Sequence, residues 1–444
     1  MDKLVPELYR NYGAYTNADK MLPNNIDGLL PVYRRILLGA HFVCRKKYIK
    51  TFKLLGEVMA RWHPHAESAG SATWLVHNEM LEGSGQWGSR IGTTTENAAA
   101  TRYTKVKACD FVEELAFRYI NSSSVSWEEL EGDQEPLMIP TMFPLCFLFK
   151  YEMSTIAFGY KPVIPTYKLS DLKKRLFHLL NDGDPKKKLI APNIIGCDVK
   201  IDKEELYNIL TKGKGSIEVT GKHEINEKDL CIYVYGWNPK STFQNLLNKL
   251  DKYKNWNLLT NEDVGYMDLS AGNKTVIQFH ILKHRNKFEI FKNLKEALPA
   301  VLTSKSGYEV IATNKHGKTL KSSVDEMLLN AYEFFKEAYR NDLEHKLEIN
   351  NKKLEELLII EKISKYISPI LDSTKDYDEI INKLSEKTEV DIESIKKVVE
   401  KYKIKKLLSF NSDKEREEIE KYNKDIKNKL ADIATSVKEE YDNV

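Results

Sequence analysis

Ala98-Ala99-Ala100-Thr101-Arg102-Tyr103-Thr104 is the stretch on which the reading of this chain turns. A tyrosine directly follows an arginine inside a run of small residues. Upstream lie a glycine-rich turn, Gly83-Ser84-Gly85-Gln86-Trp87-Gly88-Ser89, and a basic segment that ends in His63-Pro64-His65. Together these parts suit phosphate chemistry on a nucleic acid. Cations hold the backbone, Arg102 meets a phosphate with forked N–H donors, and the Tyr103 hydroxyl attacks it. The alternative is structural: a tyrosine packed beside a surface arginine.

Working outward, residues 34–61 carry Arg34, Arg35, Arg45, Lys46, Lys47, Lys50, Lys53 and Arg61 against a single acid, Glu57. This is either a footprint for a phosphate backbone or the solvated face of a helix. Pro31 opens a helix, because its fixed φ and missing N–H suit the first turn. Val32, Ile36, Leu37 and Ala40 give that helix an apolar face. A second helix is predicted from Phe52 to Trp62, with Leu54, Leu55, Val58 and Met59 inward. His63-Pro64-His65 ends it, since proline disfavours helix in the residue before it. A third helix follows over Ala66–Met80. Short helices joined by tight turns form a helix-turn-helix pattern, whose second helix enters a DNA groove.

Further on, Leu137–Phe149 is apolar and proline-rich, and Thr155-Ile156-Ala157-Phe158-Gly159 reads as a strand. Strands are also predicted over Ser216–Thr220, Leu230–Tyr235 and Val276–Ile281, with a helix over Thr242–Leu250. From Lys318 to Val444 there is no glycine and one proline, Pro369, so this part should be nearly all helix. Leu343, Leu347, Asn350, Leu354 and Leu357 recur at alternating spacings of four and three. Ile419, Tyr422, Ile426, Ile433 and Val437 carry a similar stripe. The pattern predicts an antiparallel coiled coil with a small helical globule at its tip, although a compact bundle would also satisfy it. A helix of about 35 residues would reach roughly 50 Å.

Composition sets the bounds. The 444 residues suffice for two or three domains, and 42% hydrophobic with 30% charged residues fits an ordinary soluble protein. No apolar run approaches the roughly 20 residues that span a bilayer. Nor does the N-terminus carry a signal-peptide pattern, so no membrane association and a cytoplasmic location are expected. The five cysteines are scattered without a CxxC pair, which argues against a disulfide framework or a cysteine zinc site. Two histidines, His63 and His65, without a third ligand nearby make a weak metal site. Lys212-Gly213-Lys214-Gly215-Ser216 lacks the spacing of a phosphate-binding P-loop. Glu131-Gly132-Asp133 has no matching acidic partner, and Asp376-Tyr377-Asp378 reads as solvated. No metal-binding residue is therefore assigned.

These motifs, taken in order, resemble the DNA-cleaving subunit of type IIA topoisomerases: gyrase A, its topoisomerase IV counterpart, and the separate medium subunit of T-even-like bacteriophages. Leu22-Pro23, Ile26-Asp27-Gly28-Leu29 and Pro31-Val32-Tyr33-Arg34-Arg35 resemble the family's opening motif. Leu55-Gly56-Glu57-Val58 through His63-Pro64-His65-Ala66-Glu67-Ser68-Ala69 resembles its histidine motif. Gly83–Ser89 resembles its glycine-rich turn, and Ala98–Thr104 its nucleophile segment. Ile139-Pro140-Thr141 and Ser154–Gly159 resemble two later motifs. The chain departs from the family at Leu30, Ala66, Ala72 and Trp87. Beyond residue 190 the likeness is mainly architectural.

The resemblance implies an α+β multidomain fold: a winged-helix DNA-cleavage domain over 1–144, an α/β tower over 145–322, a long antiparallel coiled-coil arm over 323–360 and 411–444, and a helical dimerisation tip, the C-gate, over 361–410. It makes Tyr103 the nucleophile, with Arg102 beside it as the second catalytic residue. Arg34, Arg35, Lys53, His63, His65 and Ser68 become DNA contacts, and Ile156 a wedge between base pairs. A free tyrosine has a pKa of about 10, so attack requires proton removal and charge neutralisation. ATP and Mg²⁺ are expected on a separate ATPase/Toprim subunit, in a heterotetramer built on a homodimer of this chain bound to double-stranded DNA. The layout is closest to the phage medium subunit, and a phage-encoded chain would work in the host cytoplasm. The expected activity is ATP-dependent double-strand passage, giving relaxation and decatenation. Supercoiling by wrapping is not expected, because the chain ends soon after the second coil helix. The alternative function is a non-enzymatic, DNA-bending architectural dimer.

Overall fold

The computed structural model describes residues 4–64, 68–121, 123–130, 133–254, 264–272, 274–282, 286–402 and 413–444. It is a mixed helix-and-sheet, α+β multidomain chain that divides into two compact units, Met1–Phe335 and Lys336–Val444. None of the described helices is long and apolar enough to cross a membrane.

The first unit opens with α1 (Leu4–Thr16), followed by α2 (Pro31–Gly39), α3 (Thr51–Arg61) and α4 (Ser68–His77). Pro31 occupies the first helical position of α2, as its chemistry dictates. In α3, Thr51, Leu54, Leu55 and Val58 are buried. That i, i+3, i+4, i+7 set forms one face, and it packs on α2. Met59, expected inward, is exposed because it falls outside this stripe. The third helix, expected over Ala66–Met80, is described over Ser68–His77: it stops at His77, short of Met80, while Ala66 and Glu67 lie outside the described residues.

A three-stranded antiparallel sheet accompanies these helices, ordered β1 (Ile49–Lys50), β3 (Lys105–Ala108), β2 (Leu81–Ser84). Val106 pairs with Ile49 on one side and Gly83 on the other. Along β3, Val106 and Ala108 are buried while Lys105 is exposed, which is the period-two alternation of a strand with one face covered.

Two further sheets follow, after the short hairpin β4 (Trp127–Leu130) and β5 (Asp133–Pro136). The first has the order β6 (Met153–Ser154), β7 (Val163–Ile164), β14 (Thr303–Glu309), β9 (Lys214–Gly221), β8 (Cys197–Val199). The second has the order β10 (His223–Asn226), β11 (Cys231–Val234), β13 (Ile277–Ile281), β12 (Val264–Asp268). Ile232, Val234, Ile277 and Phe279 point from the second sheet into a core shared with α8 (Phe243–Lys254) and α9 (Lys287–Leu302). Earlier in the chain, α6 (Leu169–Leu180) contributes the fully buried Arg175. Its guanidinium takes Asp325 in a two-pronged ion pair at 2.9 and 2.5 Å and also donates to the Lys187 carbonyl at 2.7 Å. Asp325 belongs to the first turn of α10 (Val324–Ser373), so this pair anchors the start of the long helix.

Two elements differ from the sequence reading. Thr155–Gly159 is not a strand: β6 ends at Ser154, and the chain turns back through an Ala157–Tyr160 bridge. The extended, β-branched composition suited a strand, but no neighbouring described backbone is aligned to pair with it. Thr319–Lys321 is a strand rather than helix, because it pairs with Ile311–Thr313.

The second unit is helical among its described residues. It comprises the later part of α10, α11 (Tyr377–Thr388), α12 (Ile392–Tyr402), and helices over Asp413–Ala431 and Ile433–Asp442. Pro369 lies inside α10 without ending it. Leu357, Ile360, Ile363, Ile367 and Ile370 of α10 share a core with Ile380, Ile381 and Leu384 of α11 and Ile395, Val398 and Val399 of α12. Asp376 caps α11 by accepting from the Asp378 and Glu379 amides, which explains the acidic cluster seen in the sequence. The helix over Asp413–Ala431 runs antiparallel to α10: Asn423 bonds Asn350 and Asn351, while Glu415 pairs with Lys353. Of the two stripes, Leu343, Leu357, Ile426 and Val437 are buried. Tyr422 is exposed, and Asn423 takes the seam position instead.

Candidate active site

Tyr103 stands on a turn between the glycine-rich loop and β3. Its side chain is 67% exposed, and its backbone amide donates to the Ala100 carbonyl at 2.8 Å. The Arg102 guanidinium lies over its ring, 4.8 Å from the centroid. This is a cation–π contact on an exposed tyrosine, with a guanidinium close to the ring.

The turn is fastened to the start of α3. The Thr51 amide donates to the Thr104 carbonyl at 3.1 Å, and the buried Thr104 hydroxyl donates to the Thr51 hydroxyl at 2.8 Å. Lys50 donates to the Arg102 carbonyl at 3.3 Å. Lys53 is exposed on the first turn of the same helix. The structure thus brings Tyr103, Arg102 and the beginning of α3 together, with Lys50 as a contributor the sequence reading did not select.

The glycine-rich loop is fixed from below. His77, at the end of α4, donates from Nε2 to the Trp87 carbonyl at 2.8 Å. Burial pulls the His77 imidazole below its ordinary pKa, the Trp87 hydrogen bond opposes that shift, and the nearby Arg90 and Lys150 charges add to it. Next along the chain, Thr93 donates its amide and hydroxyl to Asp268 at 2.7 and 2.9 Å. Burial works against the Asp268 charge, yet hydrogen bonds from Ser270 and Thr93 hold its carboxyl below the usual carboxylate range.

Other expected DNA contacts are placed differently. Arg34 grips Asp27 with two bonds, at 2.6 and 3.0 Å. Asp27 is fully buried and also accepts from the Leu29 and Ile139 amides at 3.0 and 3.2 Å. This carboxylate therefore joins the Asp27-Gly28-Leu29 motif to the Ile139-Pro140-Thr141 motif. Gly28 makes the turn possible: its φ is +70°, and a Cβ there would sit 2.6 Å from the Cys146 sulfur. Arg35 forms a matching fork with Glu135 at 2.8 and 2.9 Å and contacts the buried His63 at 3.2 Å. Burial weakens the Arg35 cation, but the Glu135 hydrogen bond and charge more than restore it.

Arg34 and Arg35 are thus internal ion pairs, because each side chain meets a carboxylate before it reaches solvent. Ser68 is also buried, at 1% exposure. Its hydroxyl faces inward from the start of α4 instead of outward to a groove. His65 lies outside the described residues. Ile156 lies on the turn after β6 and is 79% exposed.

Sequence reasoning missed the parts played by Asp27, Glu135 and Asp268. The Asp27–Arg34 pair, seven residues apart, was open to a charge-pairing argument. The Arg35–Glu135 and Thr93–Asp268 bonds span 100 and 175 residues, and no local signal marks them. Among the described residues no group of three or more His, Cys, Asp or Glu side chains is arranged to hold a metal ion.

The family model that describes the A subunit of DNA gyrase and topoisomerase IV matches residues 20–442. Among similar proteins, the DNA gyrase A subunit of Leptospira biflexa serovar Patoc is 29% identical over 311 residues, which is 65% of this chain and 36% of that protein. The DNA topoisomerase 4 A subunit of Rickettsia conorii is 30% identical over 247 residues, 52% of this chain and 33% of that protein. Its counterpart in Mycoplasma pneumoniae is 27% identical over 243 residues, 49% of this chain and 29% of that protein. The chain spans about a third of the length of these curated relatives. The match runs through both compact units, and on that ground the chain belongs to the family of DNA gyrase and topoisomerase IV A subunits.

Proposed function

We propose that this chain is the DNA breakage-reunion subunit of a type IIA topoisomerase, with Tyr103 as nucleophile. The observation that carries the reading is the exposed Tyr103 side chain with the Arg102 guanidinium over its ring, on a turn pinned to the start of α3. The Tyr103 oxygen attacks a backbone phosphorus as its proton leaves. The bond from phosphorus to the 3′-oxygen breaks, and that oxygen departs with a proton. One phosphodiester has become another, a 5′-phosphotyrosyl link, so the reverse attack reseals the strand without an external energy source. Arg102 neutralises the crowded phosphate during both steps. The exposed Lys50 and Lys53 hold the flanking backbone.

The helices α2 to α4 with their three-stranded sheet support a winged-helix cleavage domain over 1–144, and the two larger sheets support a tower over 145–322. The antiparallel pairing of α10 with Asp413–Ala431 supports a coiled-coil arm over 323–360 and 411–444. Its tip over 361–410 is assigned to homodimerisation. Mg²⁺ and ATP are assigned to a separate ATPase/Toprim subunit that completes a heterotetramer, as the family resemblance implies. Two copies then cut both strands and pass a second duplex. The layout supports a medium subunit of phage type, working in the host cytoplasm.

The test is covalent capture. The chain, a candidate ATPase/Toprim subunit, Mg²⁺ and plasmid are mixed and denatured with detergent. Linear DNA with protein on its 5′ ends is expected from the wild type and not from Tyr103→Phe. Tight binding and bending without an adduct would favour the architectural alternative. An adduct from the phenylalanine variant would remove Tyr103 from the mechanism.

A further inference from the structure

We propose that Asn17 is a positioning residue that presents Ile156 to DNA, so that the segment ending α1 governs bending of the duplex. The proposal rests on the breakage-reunion reading together with the wedge role that the family resemblance gives Ile156. An aliphatic side chain that unstacks base pairs must not be deflected itself, because the opposing stacking force acts directly on its backbone. The turn that bears Ile156 has little rigidity of its own. It is the loop of a hairpin whose strands, β6 and β7, pair over only two residues each, and it closes through the Ala157–Tyr160 bridge, with Gly159 at φ +79°.

Its stiffness comes from elsewhere. Asn17 is 3% exposed. Its Nδ2 donates to the Phe158 carbonyl at 3.0 Å, and its Oδ1 accepts from the Phe158 amide at 2.8 Å. One primary amide thus satisfies both backbone groups of one residue, as a neighbouring strand would. A second tie runs from the Thr155 hydroxyl to the Met21 carbonyl at 2.8 Å. The Phe158 ring is met edge-on by Tyr9 and Tyr12 of α1, with centroids 5.9 and 5.8 Å away. Thr155 and Phe158 bracket Ile156, and both are tied to residues 9–21. Asn17 reaches this turn across 141 residues of sequence.

The test uses the full chain with the subunit that supports adduct formation in the Tyr103 assay, and a duplex of about 30 bp labelled at both ends. Energy transfer between the ends reports bending. Anisotropy across a salt series reports phosphate contacts, and a melt reports folding. Ile156→Ala is the reference and should abolish the bend. Asn17→Ala should lower the ratio of bent to straight complex about tenfold, the effect of removing two hydrogen bonds that hold one state. Its salt dependence should match the wild type. Thr155→Val keeps the shape of the side chain, should lower the ratio about threefold, and decides the matter if Asn17→Ala fails to fold. If Ile156→Ala loses the bend while Asn17→Ala and Thr155→Val bend like the wild type, the positioning role is refuted and the wedge survives. If wild type and Ile156→Ala give the same energy transfer, the wedge reading fails and the proposal falls with it.

Discussion

Replacing Arg34 by alanine separates two accounts of the basic segment. If Arg34 is a DNA contact, its loss weakens binding and leaves folding alone. The structure places it against Asp27, with the two side chains 11% and 0% exposed. Removing one partner of a buried ion pair costs about 3–5 kcal/mol, because the other charge is left without compensation. Asp27 would keep its bonds from the Leu29 and Ile139 amides. That places the loss near the lower end, about 3 kcal/mol. At roughly 2 °C per kcal/mol for a unit of this size, the melting temperature should fall by about 6 °C. Arg34→Lys keeps the charge but not the fork, and should recover part of it. The assay is a thermal melt paired with DNA binding across a salt series. Each lost phosphate contact flattens the slope of log K against log salt by roughly 0.9, so Arg34→Ala should leave the slope unchanged. Lys53→Ala should do the opposite, flattening the slope at an unaltered melting temperature. An Arg34→Ala protein that melts like the wild type and shows a flattened slope would refute the structural role.

Three further outcomes follow from the same geometry. Gly28→Ala should destabilise the first unit by about 3 kcal/mol in a denaturant titration, combining a left-handed backbone with overlap on the Cys146 sulfur; a loss below about 1 kcal/mol, the size of an ordinary substitution, would contradict it. Iodoacetamide on the native protein should label Cys109 ahead of the other four cysteines, since Cys109 is partly exposed and the rest are buried. Burial pushes the Cys44 and Cys197 thiols up to about 12 and raises Cys146 as well, which suppresses their thiolates; mass spectrometry showing rapid Cys44 or Cys146 labelling would overturn this. His77 titrates below its ordinary value in the folded state, so the unfolded chain binds the proton more readily. Its effect on stability is absent well above about pH 6.5 and grows as the pH falls from there towards the folded pKa. His77→Gln should therefore reduce the acid-side loss of stability in melts compared between neutral and mildly acidic pH, and an unchanged pH profile would show that the imidazole is not the group responsible.

The helices of the first unit were legible because each rests on local information. Pro31 sets the start of α2, Pro64 sets the end of α3, and the spacing of Leu54, Leu55 and Val58 sets the buried face. The glycine-free run after Lys318 announced the helices of the second unit for the same reason. Tyr103 and Arg102 were legible as neighbours in sequence.

Pairings between distant residues were not legible in this way. Whether an arginine faces DNA or a carboxylate depends on what the fold sets opposite it. Arg34 and Arg35 sit side by side in the sequence with the same charge, yet the fold gives one Asp27 and the other Glu135. Ser68 looks like a surface hydroxyl until α4 is docked with that side inward. Thr155–Gly159 has strand-like residues, but a strand also requires a partner backbone in register, and the fold supplies Asn17 instead. Local composition and spacing therefore determined which segments are helical, where they stop, and which tyrosine and arginine adjoin. The tertiary structure alone decided which charges neutralise one another and which turn is held rigid, because most of those contacts join residues too far apart in the chain for any short-range pattern to encode.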